Sequence, residues 1–169
     1  MSAQYTKYDI RYTSAYTLIE ILVGLTIISL LFSFGYVSFR DFSRRESLNG
    51  YAKGIQGDLR LAQSLSSAGQ KPDDPFCNDP NTLSSYNFKV YSNDEYKIEV
   101  VCSGGIITNK DVTLPIDITI STPSVNPIQF KILGQGTNVP VGSDVTFTLT
   151  QAGTNYNASI TINSGGEIK

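Results

Sequence analysis

Ser14-Ala15-Tyr16-Thr17-Leu18-Ile19-Glu20-Ile21-Leu22-Val23 opens an apolar run that continues to Phe39 and carries one charge, the carboxylate of Glu20. About 20 apolar residues at ~1.5 Å each cover the hydrocarbon core of a bilayer, so the run from Tyr16 to Phe39 predicts a membrane-spanning helix. A carboxylate inside such a span costs roughly 2.5–3.5 kcal/mol on insertion scales. Glu20 therefore needs a partner or a role.

The order of these residues (a small residue, an aromatic, Thr-Leu-Ile-Glu, then a hydrophobic helix) resembles the N-terminus of type IV prepilins and type II secretion pseudopilins. The resemblance covers Ala15 to Phe39. It implies cleavage by a prepilin peptidase between Ala15 and Tyr16, N-methylation of Tyr16, and assembly through Thr17, Leu18, Ile19 and Glu20. The implied partners are other pilin or pseudopilin subunits, an inner-membrane assembly platform and the lipid bilayer. Ala15 stands where the family usually has Gly, and Tyr16 where it has Phe. Each departure is one methyl or hydroxyl group, and slower cleavage is expected.

On this reading residues 1–15 are a cytoplasmic leader, left out of fold reasoning as a processing segment. Residues 16–39 form the transmembrane and assembly helix, 40–70 its distal amphipathic half, and 71–169 a β-rich extracytoplasmic head. After the cut, the Tyr16 amine and Glu20 lie one helical turn apart on the same side. The carboxylate of one subunit can then pair with the terminal amine of its neighbour. The other reading is a plain single-pass anchor in which Glu20 snorkels to the headgroups and the β-domain serves as an adhesin or binding module. Either way the expected location is the cell membrane with the N-terminus inside, and for a processed subunit then a pilus or pseudopilus. Lys7 and Arg11 on the inner flank agree with that orientation, whereas Arg40, Arg44 and Arg45 on the outer flank oppose it.

The chain has 169 residues, enough for one anchor and one modest domain. Beyond Phe39, Leu48, Tyr51, Ile55, Leu59, Ala62 and Leu65 recur every three or four residues and mark one apolar helix stripe. Asp58, Arg60 and Gln63 fall on other faces. Gly69 followed by Lys71-Pro72 predicts the stop. Gly50, Gly54 and Gly57 each weaken a helix by about 1 kcal/mol, which predicts a bend or local melting there.

Residues 72–83 hold Pro72, Pro75 and Pro80 with Asp73, Asp74 and Asp79, and read as a loop. The aspartate spacing matches no recognisable calcium loop. Period-two alternation then predicts six strands: Tyr86–Val90, Tyr96–Cys102, Val112–Ile120, Ile128–Ile132, Val145–Leu149 and Ala158–Ile162. One apolar face on each implies an antiparallel sheet closing on the helix stripe. Pro115 predicts a bulge or an edge in the third strand. The expected fold class is α+β, a long membrane-spanning pilin stalk packed distally on this head. Cys77 and Cys102, in an exported domain, are expected to form a disulfide; two unpaired thiols are the alternative.

The C-terminal half bears a looser likeness. Gln129-Phe130-Lys131, Gly134, Thr146-Phe147-Thr148-Leu149, Ser159-Ile160-Thr161-Ile162 and Gly165-Gly166-Glu167-Ile168 resemble the end of the GspH/FimT group, which implies a minor subunit that primes or caps a fibre.

The chain has no His, which excludes Ser-His-Asp and Cys-His catalysis. There is no P-loop, and no cofactor, metal site or enzymatic activity is expected. From Lys71 onward six Lys face ten Asp and Glu with no Arg. A head of that charge is a poor ligand for nucleic acid.

Overall fold

The computed structural model describes residues 16–169, without the side chains of residues 34, 35, 37 and 38. The predicted leader, and with it Ala15, lies outside the described residues. The chain divides into two compact units, Met1–Asp41 and Phe42–Lys169, and α1 (Leu18–Ser67) contributes to both.

The membrane-spanning stalk is corrected. Among the described residues no helix is long and apolar enough to cross a membrane. The expected fold class, a pilin stalk through the bilayer, is overturned with it. So are the transmembrane and membrane assignments and the single-pass location with a cytoplasmic N-terminus.

In the second unit α1 buries Leu48, Ala52, Ile55, Leu59 and Ala62. Ala52 takes the place that spacing assigned to Tyr51, which stays 38% exposed. No melting occurs at Gly50, Gly54 or Gly57: α1 runs through all three. Burying the neighbouring Leu and Ile side chains, each worth about 1.5–3 kcal/mol, offsets the glycine penalty. The helix stops where Gly69 takes φ +63. Its N–H donates to Ser66 O and that of Gln70 to Leu65 O, each at 3.0 Å, a Schellman ending that only a left-handed residue completes.

The chain then forms β1 (Leu83–Ser92), β2 (Glu95–Cys102), β3 (Gly105–Thr113), β4 (Ile118–Ile120), β5 (Ile128–Lys131), β6 (Asp144–Gln151) and β7 (Asn157–Asn163). They make two antiparallel sheets, ordered β3-β2-β1-β5 and β4-β6-β7. The single strand predicted over Val112–Ile120 is two strands in different sheets. Pro115 has no N–H for a ladder, and its carbonyl accepts the Ile118 N–H at 2.9 Å in a tight turn. Phe88 of the first sheet stacks 5.3 Å from Phe147 of the second and lies 5.2 Å from Tyr96.

Polar ties fix α1 to this core. Ser66 Oγ donates to Phe130 O at 2.6 Å, and Gln63 Nε2 donates to Gly166 O at 2.9 Å. Asp58 is buried rather than on a wet face. It accepts from Tyr96 Oη at 2.7 Å and from Lys110 Nζ at 2.6 Å. A buried carboxylate is tolerable only with such donors.

The loop after α1 is pinned at its centre. Cys77 and Cys102 are joined in a disulfide with Cα atoms 5.3 Å apart. The Phe76 ring lies over Gly105, and a Cβ on Gly104 would come within 2.6 Å of Phe76 O. Phe76 N–H donates to Asp74 Oδ1 at 2.9 Å.

The disulfide closes a loop with a sequence separation of 25. Replacing both cysteines by Ala should cost about 3 kcal/mol, read as a lower midpoint in urea unfolding, with a somewhat steeper slope because the unfolded chain without the cross-link exposes more surface. Burial, then the hydrogen bond to Asp58, holds the Tyr96 phenol well above its ordinary pKa of 10.0. The folded chain thus keeps that proton more tightly than the unfolded one. The contribution is whole below pH 10 and is lost as pH rises above it. Lys97, raised by hydrogen bonds to Asp111 and then Glu95, acts in the same direction. Tyr96→Phe should therefore cost about 1–3 kcal/mol at neutral pH. It should also flatten, without abolishing, the loss of stability in thermal melts between pH 9 and 11.

Candidate functional site

The predicted assembly residues meet at the start of α1. Thr17 is its cap: Thr17 Oγ1 accepts the Glu20 N–H at 3.3 Å, and Thr17 O accepts from Glu20 N and Ile21 N at 3.1 and 3.3 Å. Thr17-Leu18-Ile19-Glu20 has the spacing of a capping box, and a carboxylate in the first turn suits the positive end of the helix dipole. Glu20 thus has a local role that needs no partner chain. The sequence carried the signal, a Thr three residues before a Glu ahead of an apolar run. Among the described residues Glu20 has no cationic partner in an ion pair.

The helix that follows is bare. No apolar side chain from Leu18 to Phe32 is buried. Leu18 is 82% exposed and Phe32 75%. At about 100° per residue, Leu18, Ile19, Val23, Ile27, Leu31 and Ile28 go round the whole circumference rather than forming a stripe. The hydroxyls do not break this surface. Thr26 Oγ1 donates to Val23 O, Ser29 Oγ to Leu25 O and Ser33 Oγ to Ser29 O, at 2.8–2.9 Å. Each polar group is turned back on its own backbone.

The second unit holds a cleft of about 490 Å³ beside α1. Ser47, Gly50, Tyr51 and Gly54 line one side, Lys110 and Val112 the other, with the Asp58–Tyr96 pair also lining it. Because Asp58 and Lys110 are bound to each other, the cleft offers no free acid–base pair. Among the described residues no three His, Cys, Asp or Glu side chains converge as a metal site would need. The aspartates after α1 serve their own loop: Asp73 accepts from Asn78 Nδ2 at 3.3 Å, and Asp79 pairs with Lys71 at 3.2 Å.

Of the residues singled out from sequence, Tyr16, Thr17, Leu18, Ile19 and Glu20 are adjacent, Ala15 lies outside the described residues, and Cys77 and Cys102 belong to the other unit. The segments likened to the GspH/FimT group fall on β5, β6 and β7. They end in a turn at Gly166, φ +88, that returns Ile168 beside Ile162. Against known proteins the chain matches no family model, no curated protein and no solved structure, so membership of the prepilin, pseudopilin or GspH/FimT families is not shown.

Proposed function

We propose that the chain is a filament subunit, released by a prepilin peptidase between Ala15 and Tyr16 and assembled by burying residues 18–33 among the corresponding helices of neighbouring subunits. One observation carries this reading: the helix is apolar and exposed around its whole circumference. A helix of that kind is stable only when surrounded. A single partner would cover one side, so several neighbours are required. Each Leu or Ile fully covered contributes about 1.5–3 kcal/mol, so a few residues per contact offset the ~4–15 kcal/mol cost of association.

Glu20 then becomes the deciding group. Surrounded by apolar helices, an unpaired carboxylate costs several kcal/mol. The terminal amine that cleavage would free on Tyr16 of a neighbour is a matching counter-charge. The resemblance over Ala15–Phe39 supports the same assignment, and the likeness of β5–β7 to the GspH/FimT group favours a minor subunit at the start or tip of a pilus-like fibre. The chemistry is assembly rather than catalysis.

Purified chain beginning at Tyr16 should form sedimentable fibres or large oligomers visible by electron microscopy. Glu20→Ala leaves the partner amine unpaired, a loss of about 3–5 kcal/mol, and should cut the assembled fraction at least a hundredfold. Wild-type chain that stays monomeric at high concentration would sink the reading, and an unimpaired Glu20→Ala would remove the pairing role. In protein isolated from its own host, intact-mass analysis should find a chain beginning at methylated Tyr16. A mature chain still beginning at Met1 would exclude the cleavage step.

A further inference from the structure

We infer that the outer face of the β4-β6-β7 sheet binds a neutral polysaccharide chain. The face belongs to the second unit alone, so the inference goes beyond the filament reading and does not depend on it.

The alternation of a strand decides what the face carries. β6 turns Val145, Phe147 and Leu149 inward, and β7 turns Ile160 and Ile162 inward. Thr146, Thr148 and Thr150 of the one strand and Asn157, Ser159 and Thr161 of the other therefore point out. The register sets them in rows: Thr146 beside Thr161, Thr148 beside Ser159, and Thr150 between Asn157 and Thr119 of β4. Each of these side chains is exposed or half-buried. Neighbouring groups stand about 4.8 Å apart across strands and about 6.8 Å apart along them. Thr is a good strand former, but propensity does not account for the absence of charge. The outer face of the other sheet, under the same constraint, carries Lys89, Lys97, Glu99, Asp111 and Lys131. Asp144, opposite Asn163, stands at the end of the hydroxyl face rather than within it.

The hydroxyls are held in place by one another. Thr146 Oγ1 and Thr161 Oγ1 share a hydrogen bond at 2.9 Å, and Thr148 Oγ1 and Ser159 Oγ share one at 3.3 Å. One proton joins each pair, so each pair keeps a further O–H and free lone pairs for a ligand. The threonine methyls supply small apolar contacts between them.

Such a surface selects its ligand by exclusion and by match. Nucleic acid needs Lys and Arg at its phosphates, and a protein partner needs buried aromatic, Arg or aliphatic anchors. The face has neither. A neutral sugar chain offers what the face itself offers, uncharged hydroxyls that both donate and accept, with C–H patches between them that suit the methyls. With no charge on either side, contact leaves no ion to desolvate. The twist of the sheet separates a chain from a rigid lattice of hydroxyls such as ice. Adjacent strands turn by roughly 20–25°, so the rows turn by roughly 40–50° across three strands. A polysaccharide follows that turn by rotation about its glycosidic bonds, whereas a planar crystal face falls out of register with it.

The test is retention of the full chain on immobilised neutral polysaccharides (a β-glucan, a mannan and chitin), with the polyanion alginate beside them. At least one neutral polymer should retain the chain, and alginate should not. Thr148→Val with Thr150→Val removes two hydroxyls and should weaken retention about tenfold or more. Both changes keep a β-branched residue on the strand, so the fold stands. Lys89→Ala, on the outer face of the other sheet, should leave retention unchanged. The exposed helix of residues 18–33 is common to every variant, so adsorption through it would not distinguish them. Equal retention of the double variant, or equal retention on alginate, would overturn the inference, as would no retention on any neutral polymer. Shaping of growing ice crystals by a chain that binds none of the polysaccharides would overturn it too, and assign the face to the lattice of water.

Discussion

The Asp58 carboxylate, clasped by the Tyr96 hydroxyl and the Lys110 ammonium, sets the rotation of α1 within the second unit. Close packing of an apolar stripe resists large rolls of a helix but selects less sharply among small ones, because the hydrophobic effect is non-directional. A buried carboxylate does not tolerate such a roll, since each lost donor exposes the full desolvation penalty. With that angle set, Leu48, Ile55, Leu59 and Ala62 face the core, and Gln63 and Ser66 reach Gly166 and Phe130. The glycines at 50 and 54 are turned to the cleft. Packing thus supplies the bulk of the stabilisation, and the polar clasp selects one arrangement from several of similar burial.

Much of this was legible from periodicity, and the failures have physical causes. Alternation located the strands around Tyr86, Tyr96, Ile128, Val145 and Ile160 because one face of each is dry. It failed at Val112–Ile120, where apolar residues keep their alternation through a chain reversal and Ile116 ends up 99% exposed. Pro115 was the warning. Spacing does not separate Tyr51 from Ala52, since both suit a stripe through Leu48 and Ile55. Asp58 and Gln63 fall off the apolar stripe, and spacing along the helix does not say what covers them. Their partners, Lys110 and Gly166, are 52 and 103 residues away and share no local signature with them.

At the N-terminal end one carboxylate has two features at once: Glu20 is the single charge in an apolar run and it stands in the first turn of the helix. Thr17 and Glu20 begin a helix in the ordinary way. Apolar composition from Tyr16 to Phe39 suggested a bilayer span, yet among the described residues no helix meets that requirement. The hydrophobic surface that remains still has to be covered, and the physics of covering it is the same whether the surroundings are hydrocarbon or other helices.

The inward-turned hydroxyls of Thr26, Ser29 and Ser33 have a consequence for how such a surface is read by its neighbours. With those groups satisfied by their own carbonyls, the flank of the helix has few directional teeth. Smooth aliphatic cylinders can slide and turn against one another with small changes in free energy. They distinguish poorly between a correct companion and any other greasy rod. Discrimination would then fall to the sculpted part of the molecule, where a misfit of a few ångströms strands a charge or leaves a ring in water.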